Sequence, residues 1–331
     1  MSRKATFVAP SNIAFIKYWG TRDLDEIVPY NPSLSMTLSR CSTTTTVEVL
    51  EDSDADEVMI CVEPGKLVAA GGHFTTGVVA HLDRLRKWSE SKSRYRVVTM
   101  NSFPMGAGLA SSASGFAALT LAFVASLDRS ISSREASILA RLSGSGSAAR
   151  SVLGGYVEWP VDEDCSAASF ASADHWDLCD VVAILDEGEK EVSSKEGHRL
   201  ATTSPYFQLR QELLAERIDL VRRAVLERNF STLGPIVEEE ALDLHLIAMS
   251  SRPPIFYWQP GTLTVLKTIR EMRADGVEVC ATMDAGANVH TICTAESQGE
   301  VVRVLETLPE IERLIQDRVG EGPRQLDTHL L

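Results

Sequence analysis

Two hydrophobic periods divide the chain. Residues 43–50, 57–62 and 95–100 carry β-branched and apolar residues at strand spacing and predict three strands. Over residues 73–88 the period lengthens. Val78, Val79, Leu82 and Leu85 fall on one helical face, with Arg84, Arg86 and Lys87 turned mainly toward water. An alanine-rich helix follows over 112–127, then a second over 133–143, opened by Ser132-Ser-Arg-Glu135 as a capping box. Strands dominate residues 155–185. The polar, glycine-containing stretch 187–203 breaks the pattern and reads as an active-site loop or a lobe boundary. Helices are expected over 207–228, 235–250 and 261–275, strands over 277–284 and 289–295, and a last helix over 297–305. Helix, strand, strand, helix in the C-terminal third suits an α+β sandwich better than a doubly wound sheet.

Composition narrows the partners. A formal charge of −14 over 331 residues argues against non-specific nucleic-acid or anionic-membrane binding, which needs a basic surface. An anionic substrate would need a local basic pocket. No apolar run approaches the roughly 20 residues of a membrane span, and residues 1–10 lack the apolar core of a secretion signal. The expectation is a cytoplasmic protein. Cys41, Cys61, Cys165, Cys179, Cys280 and Cys293 stand singly among apolar neighbours, as buried thiols rather than disulfides or zinc ligands.

Four segments carry candidate chemistry. Pro104-Met-Gly-Ala-Gly-Leu-Ala-Ser-Ser-Ala-Ser114 joins a Gly/Ser-rich loop to a helix N-terminus, the arrangement of a phosphate cradle; an ordinary serine-capped loop is the alternative. Ser111, Ser112 and Ser114 offer hydroxyls for phosphate oxygens or a metal ion. In Asn12-Ile-Ala-Phe-Ile-Lys17, a lysine sits in an apolar strand, where it either meets an anion or snorkels from a sheet edge. Asn12, Tyr18 and Arg22 lie close by, and Ser33 and Ser35 share one face of the next extended segment. Gly144-Ser-Gly-Ser-Ala-Ala-Arg150 presents Ser145, Ser147 and an arginine fork suited to carboxylate or phosphate. Met283-Asp-Ala-Gly286 ends a strand in a carboxylate. Together they read as phosphoryl transfer to a small acid. His73, His198, His245 and His290 are scattered and form no metal pattern, and Glu238-Glu-Glu240 reads as a solvated helix face.

In these motifs the chain resembles the GHMP kinase superfamily and, within it, the mevalonate diphosphate decarboxylases. The resemblance rests on residues 104–114 and Asp284-Ala-Gly286 for the superfamily. For the decarboxylase branch it rests on Asn12-Ile-Ala-Phe-Ile-Lys-Tyr-Trp-Gly20, Asn31-Pro-Ser-Leu-Ser35, Gly144 to Arg150 with Gly154-Gly-Tyr156, Val192-Ser-Ser194 and Pro253-Pro-Ile-Phe-Tyr257. It implies a two-lobed α+β fold, with an N-terminal ATP-binding lobe of ribosomal-protein-S5 type (1–187) and a ferredoxin-like C-terminal lobe (188–331), usually as a homodimer. It also implies ATP and Mg²⁺, phosphorylation of the 3-hydroxyl of a mevalonate 5-phosphoester, and loss of phosphate and CO₂. Asp284, Lys17 and Arg150 would be catalytic. Asn12, Tyr18, Thr21, Arg22, Ser145, Ser147, Ser194 and Lys195 would bind substrate. Ser102, Gly106, Gly108, Leu109, Ala110, Ser111 and Ser112 would bind nucleotide, with Ser111 on the metal.

Three positions depart from the family pattern. Lys195 stands where arginine is frequent, Ala287 where proline is usual, and Thr21 where the family has a lysine that binds the diphosphate. Losing a charge-assisted contact forfeits roughly 1.5–3 kcal/mol. On that ground the sequence points to mevalonate 5-phosphate, giving isopentenyl phosphate, with mevalonate 5-diphosphate as the alternative. A kinase that does not decarboxylate would lack the Lys17 and Asp284 pair, and a non-catalytic sensor would have a damaged phosphate loop or aspartate.

Overall fold

The computed structural model describes residues 3–103, 111–188 and 191–331. The first half runs β1 (Lys4–Ile16), β2 (Thr21–Asp23), β3 (Val28–Pro29), β4 (Ser33–Leu50), β5 (Glu57–Glu63), β6 (Lys66–Ala69), α1 (Gly72–Ser89) and β7 (Arg94–Asn101). It continues through α2 (Ser111–Ser126), α3 (Ser133–Arg141), α4 (Ala148–Ser151), β8 (Tyr156–Trp159) and β9 (Ala168–Ala171). The second half holds β10 (Leu178–Ile184), α5 (Ser194–Leu200), α6 (Phe207–Glu227), α7 (Phe230–Ser250) and α8 (Pro260–Ala274). It ends with β11 (Val279–Thr282), β12 (Val289–Thr294), α9 (Gln298–Leu305), β13 (Arg313–Arg318) and β14 (Arg324–Leu326).

The antiparallel pair β1 and β4 is the spine of the first sheet, whose main path is β14-β1-β4-β7-β5-β6, with β8 and β9 added beside β4. The sequence pattern predicts the second stretch of β4 as a strand and gives the first only as an extended segment with Ser33 and Ser35 on one face. Its first stretch reads as polar because its serines and threonines are buried. Between the two the pairing with β1 slips from Pro10↔Ser42 to Asn12↔Thr37, and there the Asp317 carboxylate accepts the N–H groups of Ser39, Arg40 and Cys41 at 2.9, 2.9 and 2.7 Å. Ala113, Ala117 and Ala118 let α2 lie close on this sheet. Small side chains permit that approach, and so they bring the N-terminus of α2 to the mouth of the site.

The second sheet is antiparallel in the order β11-β12-β10-β13. Helices α6 and α7 fill the space between the sheets: Ile13, Phe15, Leu34 and Met36 of the first half share one apolar core with Val182, Val221, Val237 and Ile292 of the second. The α+β expectation holds. The sheets shift the boundary between the halves, because β10 lies ahead of residue 187 yet is central to the second sheet, and β14 returns from the C-terminus to pair with β1. We propose dividing the halves ahead of Leu178. Strands β13 and β14 escape the sequence reading because their partners are distant in the chain.

Two further expectations are corrected. The stretch 187–203 is not all loop: Ser193 accepts the Glu196 N–H at 3.2 Å and caps α5, which a 3₁₀ turn then extends. Helix α7 starts at Phe230 rather than Pro235, because Asn229 accepts the Thr232 N–H at 3.1 Å and caps it. The capping box at Ser132 and Glu135 and the six buried free thiols are as expected. Among the described residues, no helix is long and apolar enough to cross a membrane.

Candidate active site

Strand β1 ends at Ile16, and Lys17 follows it into the space between the sheets. Its backbone is gripped on every side. The Lys17 N–H donates to Glu240 Oε2 at 3.3 Å, and its carbonyl accepts from Arg210 Nη2 at 2.8 Å and Asn31 Nδ2 at 2.9 Å. Glu240, fully buried, also binds Arg210 at 2.8 Å and Arg217 at 2.7 Å. Glu238 is likewise buried, on Arg270 and Arg273. Of the three glutamates expected on a solvated face, only Glu239 is exposed. A charged helix face can be internal when arginines from neighbouring helices neutralise it.

With its backbone fixed, Lys17 places Nζ 2.9 Å from Oδ1 of Asp284, which lies just beyond β11. The side chain of Lys17 is 1% exposed and that of Asp284 is 32% exposed. The carboxylate therefore faces an opening while the ammonium lies beneath it. Burial alone would raise the Asp284 pKa, but the charges of Lys17 and His290 and the Lys17 hydrogen bond, with Arg150 beyond, hold it below the usual carboxylate value. Burial pushes Lys17 below the ordinary lysine value, offset in part by Asp284. Under Asp284, His290 Nδ1 meets Asp180 Oδ2 at 2.6 Å, and burial raises the Asp180 pKa.

Arg150, on α4, is also buried. It donates to Ser33 Oγ, to Asn12 Oδ1 from Nε and Nη2 at 3.2 and 3.0 Å, and to Ser147 Oγ at 3.3 Å. Asn12 is held in turn by Ser151 at 2.8 Å. Every described hydrogen-bond partner of Arg150 is neutral, so its charge is oriented but not cancelled. Burial accordingly lowers its pKa to about 10. A buried guanidinium held this way is a receptor for a carboxylate or phosphate.

Tyr18 and Thr21 form the next wall, with their hydroxyls 2.5 Å apart. Burial raises the Tyr18 pKa to about 12, so it stays a neutral phenol. Gly20 turns the chain between them at φ +101°, and a Cβ there would come within 2.9 Å of Phe207, so only glycine fits. Gly146 packs so closely on Tyr18 and Trp159 that a Cβ would approach each to 2.7 Å. That contact brings Ser145 and Ser147 to the same wall. Arg22, Ser194 and Lys195 are exposed at the rim.

Of the residues expected to bind nucleotide, Gly106, Gly108, Leu109 and Ala110 lie outside the described residues. Ser111 and Ser112 open α2, and Ser112 Oγ is 3.1 Å from Ser145 Oγ, joining the phosphate segment to the serine loop. Ser114 is not available, since it is buried against Thr43 at 2.7 Å. Ser102 is exposed, and its hydroxyl donates to Arg40 O at 2.6 Å and accepts the Ser42 N–H at 2.9 Å. An apolar cavity beside Ser111 and Ser112, lined by Thr45, Val97, Thr99, Asn101 and Phe116, has the character of a base-binding slot. Among the described residues, no group of three His, Cys, Asp or Glu could hold a metal by itself. The Ser111 hydroxyl at the opening of α2 is an oxygen donor of the kind that a hard cation takes beside phosphate oxygens.

Sequence reasoning passed over Glu240, Arg210 and His198. The first two carried no local signal, because their role is to hold a backbone reached through the fold. His198 lies four residues after Ser194 on α5, and that helical spacing was the available clue.

Comparison with known proteins follows this geometry. Residues 9–171 match the diphosphomevalonate decarboxylase-like N-terminal domain, and residues 180–321 the mevalonate 5-diphosphate decarboxylase C-terminal domain. The chain is 30% identical to the diphosphomevalonate decarboxylase of Candida albicans, covering 98% of this chain and 99% of that one. It is 33% identical to the phosphomevalonate decarboxylase of Haloferax volcanii, covering 88% and 89%. The mevalonate diphosphate decarboxylase of Enterococcus faecalis superposes with a TM-score of 0.90 at 31% identity, over 99% of this chain and 100% of that one. A related solved structure, in complex with MVAPP, AMPPCP and magnesium, gives a TM-score of 0.89 at 32% identity with the same coverage.

Proposed function

The chain belongs to the diphosphomevalonate decarboxylase family, and we propose that it decarboxylates mevalonate 5-diphosphate to isopentenyl diphosphate with consumption of ATP. The observation that carries this reading is the paired placement of Asp284 on Lys17 beside an Arg150 whose described partners are all neutral. One pair activates a hydroxyl; the other group waits for a carboxylate.

Asp284, ionised, orients the substrate's 3-hydroxyl and accepts its proton as the oxygen attacks the γ-phosphorus of ATP; ADP leaves. Lys17 keeps Asp284 ionised and offers its charge to the phosphoryl group in flight. Arg150 holds the substrate carboxylate in line with the C3–O bond. When that bond breaks, phosphate leaves with its electron pair, and the electrons of the carboxylate–carbon bond form the alkene as CO₂ departs. Asp284, once the proton it accepted has passed to the departing phosphate, faces as a carboxylate the positive charge that develops at C3 before the alkene forms. The α2 N-terminus with Ser111 and Ser112 binds the nucleotide phosphates, and the cavity near Thr45 and Val97 receives the base. Ser111, together with the nucleotide phosphates, would hold Mg²⁺, which would supply neutralisation of the phosphate charge. Tyr18, Ser145, Ser147, Ser194 and Lys195 line the phosphoester end.

The diphosphate takes precedence over the monophosphate that Thr21 suggests. The relatives are mostly diphosphate enzymes, and cations remain near β2: Arg22 and Arg141 both lie within electrostatic reach of Asp23. Arg141 is buried with its Nε unpartnered. The monophosphate is the second reading, favoured by the hydroxyl pair of Thr21 and Tyr18 and by the resemblance to the Haloferax enzyme. The deciding measurement is kcat/KM for the two phosphoesters with ATP and Mg²⁺, following CO₂ and ADP together. Preference for the diphosphate supports the first reading and preference for the monophosphate the second, while ADP without CO₂ would make the protein a kinase. A homodimer belongs to the same reading and is checked by sedimentation. Six free buried thiols fit a reducing, cytoplasmic setting.

A further inference from the structure

His198 is locked in one protonation state by the backbone opposite it. The Gly20 N–H donates to His198 Nδ1 at 3.0 Å. A backbone N–H can only donate, so Nδ1 is the unprotonated nitrogen and the neutral ring carries its proton on Nε2. The ring is clamped by stacking on Tyr18 at 4.0 Å between centroids and 28° between planes, with Trp19 at 4.8 Å on its other flank. Burial is the main cause that lowers its pKa to about 3, with Asp284 opposing and Arg150 adding to the shift. The stacking on Tyr18 sets the ring against the wall that Tyr18 and Thr21 form. Among the described residues, Nε2 meets no acceptor, although the rest of the ring is fully used. The histidine therefore presents a fixed neutral donor with nothing on the protein side to receive it. Such a donor cannot act as a general acid, since losing the proton would leave an imidazolate. It can bind an anion's oxygen.

We infer that His198 is a substrate-reading residue whose Nε2–H donates a hydrogen bond to a non-bridging oxygen of the substrate's 5-phosphoester. The inference rests on the proposed function. The phosphoester is chosen over the carboxylate for two reasons. Arg150 already provides the carboxylate receptor. His198 sits one helical turn from Ser194 on α5 and against Tyr18, which is hydrogen-bonded to Thr21, so its neighbours are those of the phosphoester end.

Two amides separate this role from a purely structural one. In His198→Asn the side-chain oxygen can replace Nδ1 as the acceptor for Gly20 but offers nothing at Nε2. In His198→Gln the amide nitrogen can reach the Nε2 position. The expected result is a KM for the phosphoester raised about tenfold or more in the asparagine variant, with kcat changed much less, and substantial recovery in the glutamine variant. ¹⁵N NMR of histidine-labelled wild-type enzyme should show the Nε2–H tautomer and a shift of that signal on adding mevalonate 5-diphosphate or 5-phosphate. An unchanged KM in the asparagine variant, an Nδ1–H tautomer, or a signal indifferent to both phosphoesters overturns the assignment of His198 while leaving an active wild-type enzyme's function intact. A wild-type enzyme inactive on both phosphoesters overturns the functional reading, and this one with it. The NMR measurement decides the matter even if a variant fails to fold.

Discussion

Lys17 and Asp284 stand 267 positions apart in sequence and 2.9 Å apart in space, one beyond the end of β1 and the other beyond β11. Neither position is stable alone. A lysine with 1% of its side chain exposed needs an anion, and a carboxylate in this setting stays ionised only beside a cation. The two halves of the fold thus complete each other at this ion pair.

Replacing Asp284 by Asn keeps the shape and removes the base. Product formation should fall by at least about a thousandfold, while ATP binding, followed by nucleotide fluorescence, stays within a few fold. Near-normal CO₂ release from that variant would remove Asp284 from the mechanism.

Arg150→Lys retains charge but loses the planar fork that Ser33, Asn12 and Ser147 orient. Turnover should drop about a hundredfold or more through lost positioning, with thermal stability changed far less than activity. An activity loss that merely tracked loss of stability would show that the residue is structural.

Thr21→Lys adds a cation beside the phosphoester end. The kcat/KM ratio of diphosphate to monophosphate should rise about ten- to a hundredfold, corresponding to a charge-assisted contact of roughly 1.5–3 kcal/mol. A ratio that does not move would place discrimination elsewhere, with Arg22 and Arg141 the next residues to vary.

Glu240→Gln leaves Arg210 and Arg217 without their shared carboxylate and should cost about 3–5 kcal/mol in urea unfolding at neutral pH. Although burial works to raise it, the Glu240 pKa is lowered from 4.5 by Arg210 and Arg217. A depressed carboxylate contributes stability that is present above its unfolded pKa and lost as pH falls through the folded one. The difference between wild type and variant should therefore shrink only below pH 4.5. A difference already shrinking near neutrality would contradict it.

The pH profile of kcat/KM follows from the same shifts. Asp284 lies below 3.8, so the acid limb should come at lower pH than for an ordinary aspartate. Lys17 lies below 10.5, so the alkaline limb should begin earlier than for an ordinary lysine. His198, at about 3, should add no inflection near 6.5. A bell centred on a histidine pKa would overturn this assignment of charges.

The α+β class and most helices were legible in the sequence, and it singled out Lys17, Arg150 and Asp284 as candidates, because periodicity and charges in apolar surroundings are local facts. It misjudged Glu238, Glu240 and Ser114, and gave His198 no partner, because their settings depend on what faces them. Nothing near Glu240 in the chain shows that Arg210 and the Lys17 backbone will meet it. Nothing near His198 shows that the Gly20 amide will fix its tautomer. The tertiary structure decided those matters because burial and opposition across 178 or 223 positions, not residue type, set whether a polar side chain is solvated, neutralised or left to bind a ligand.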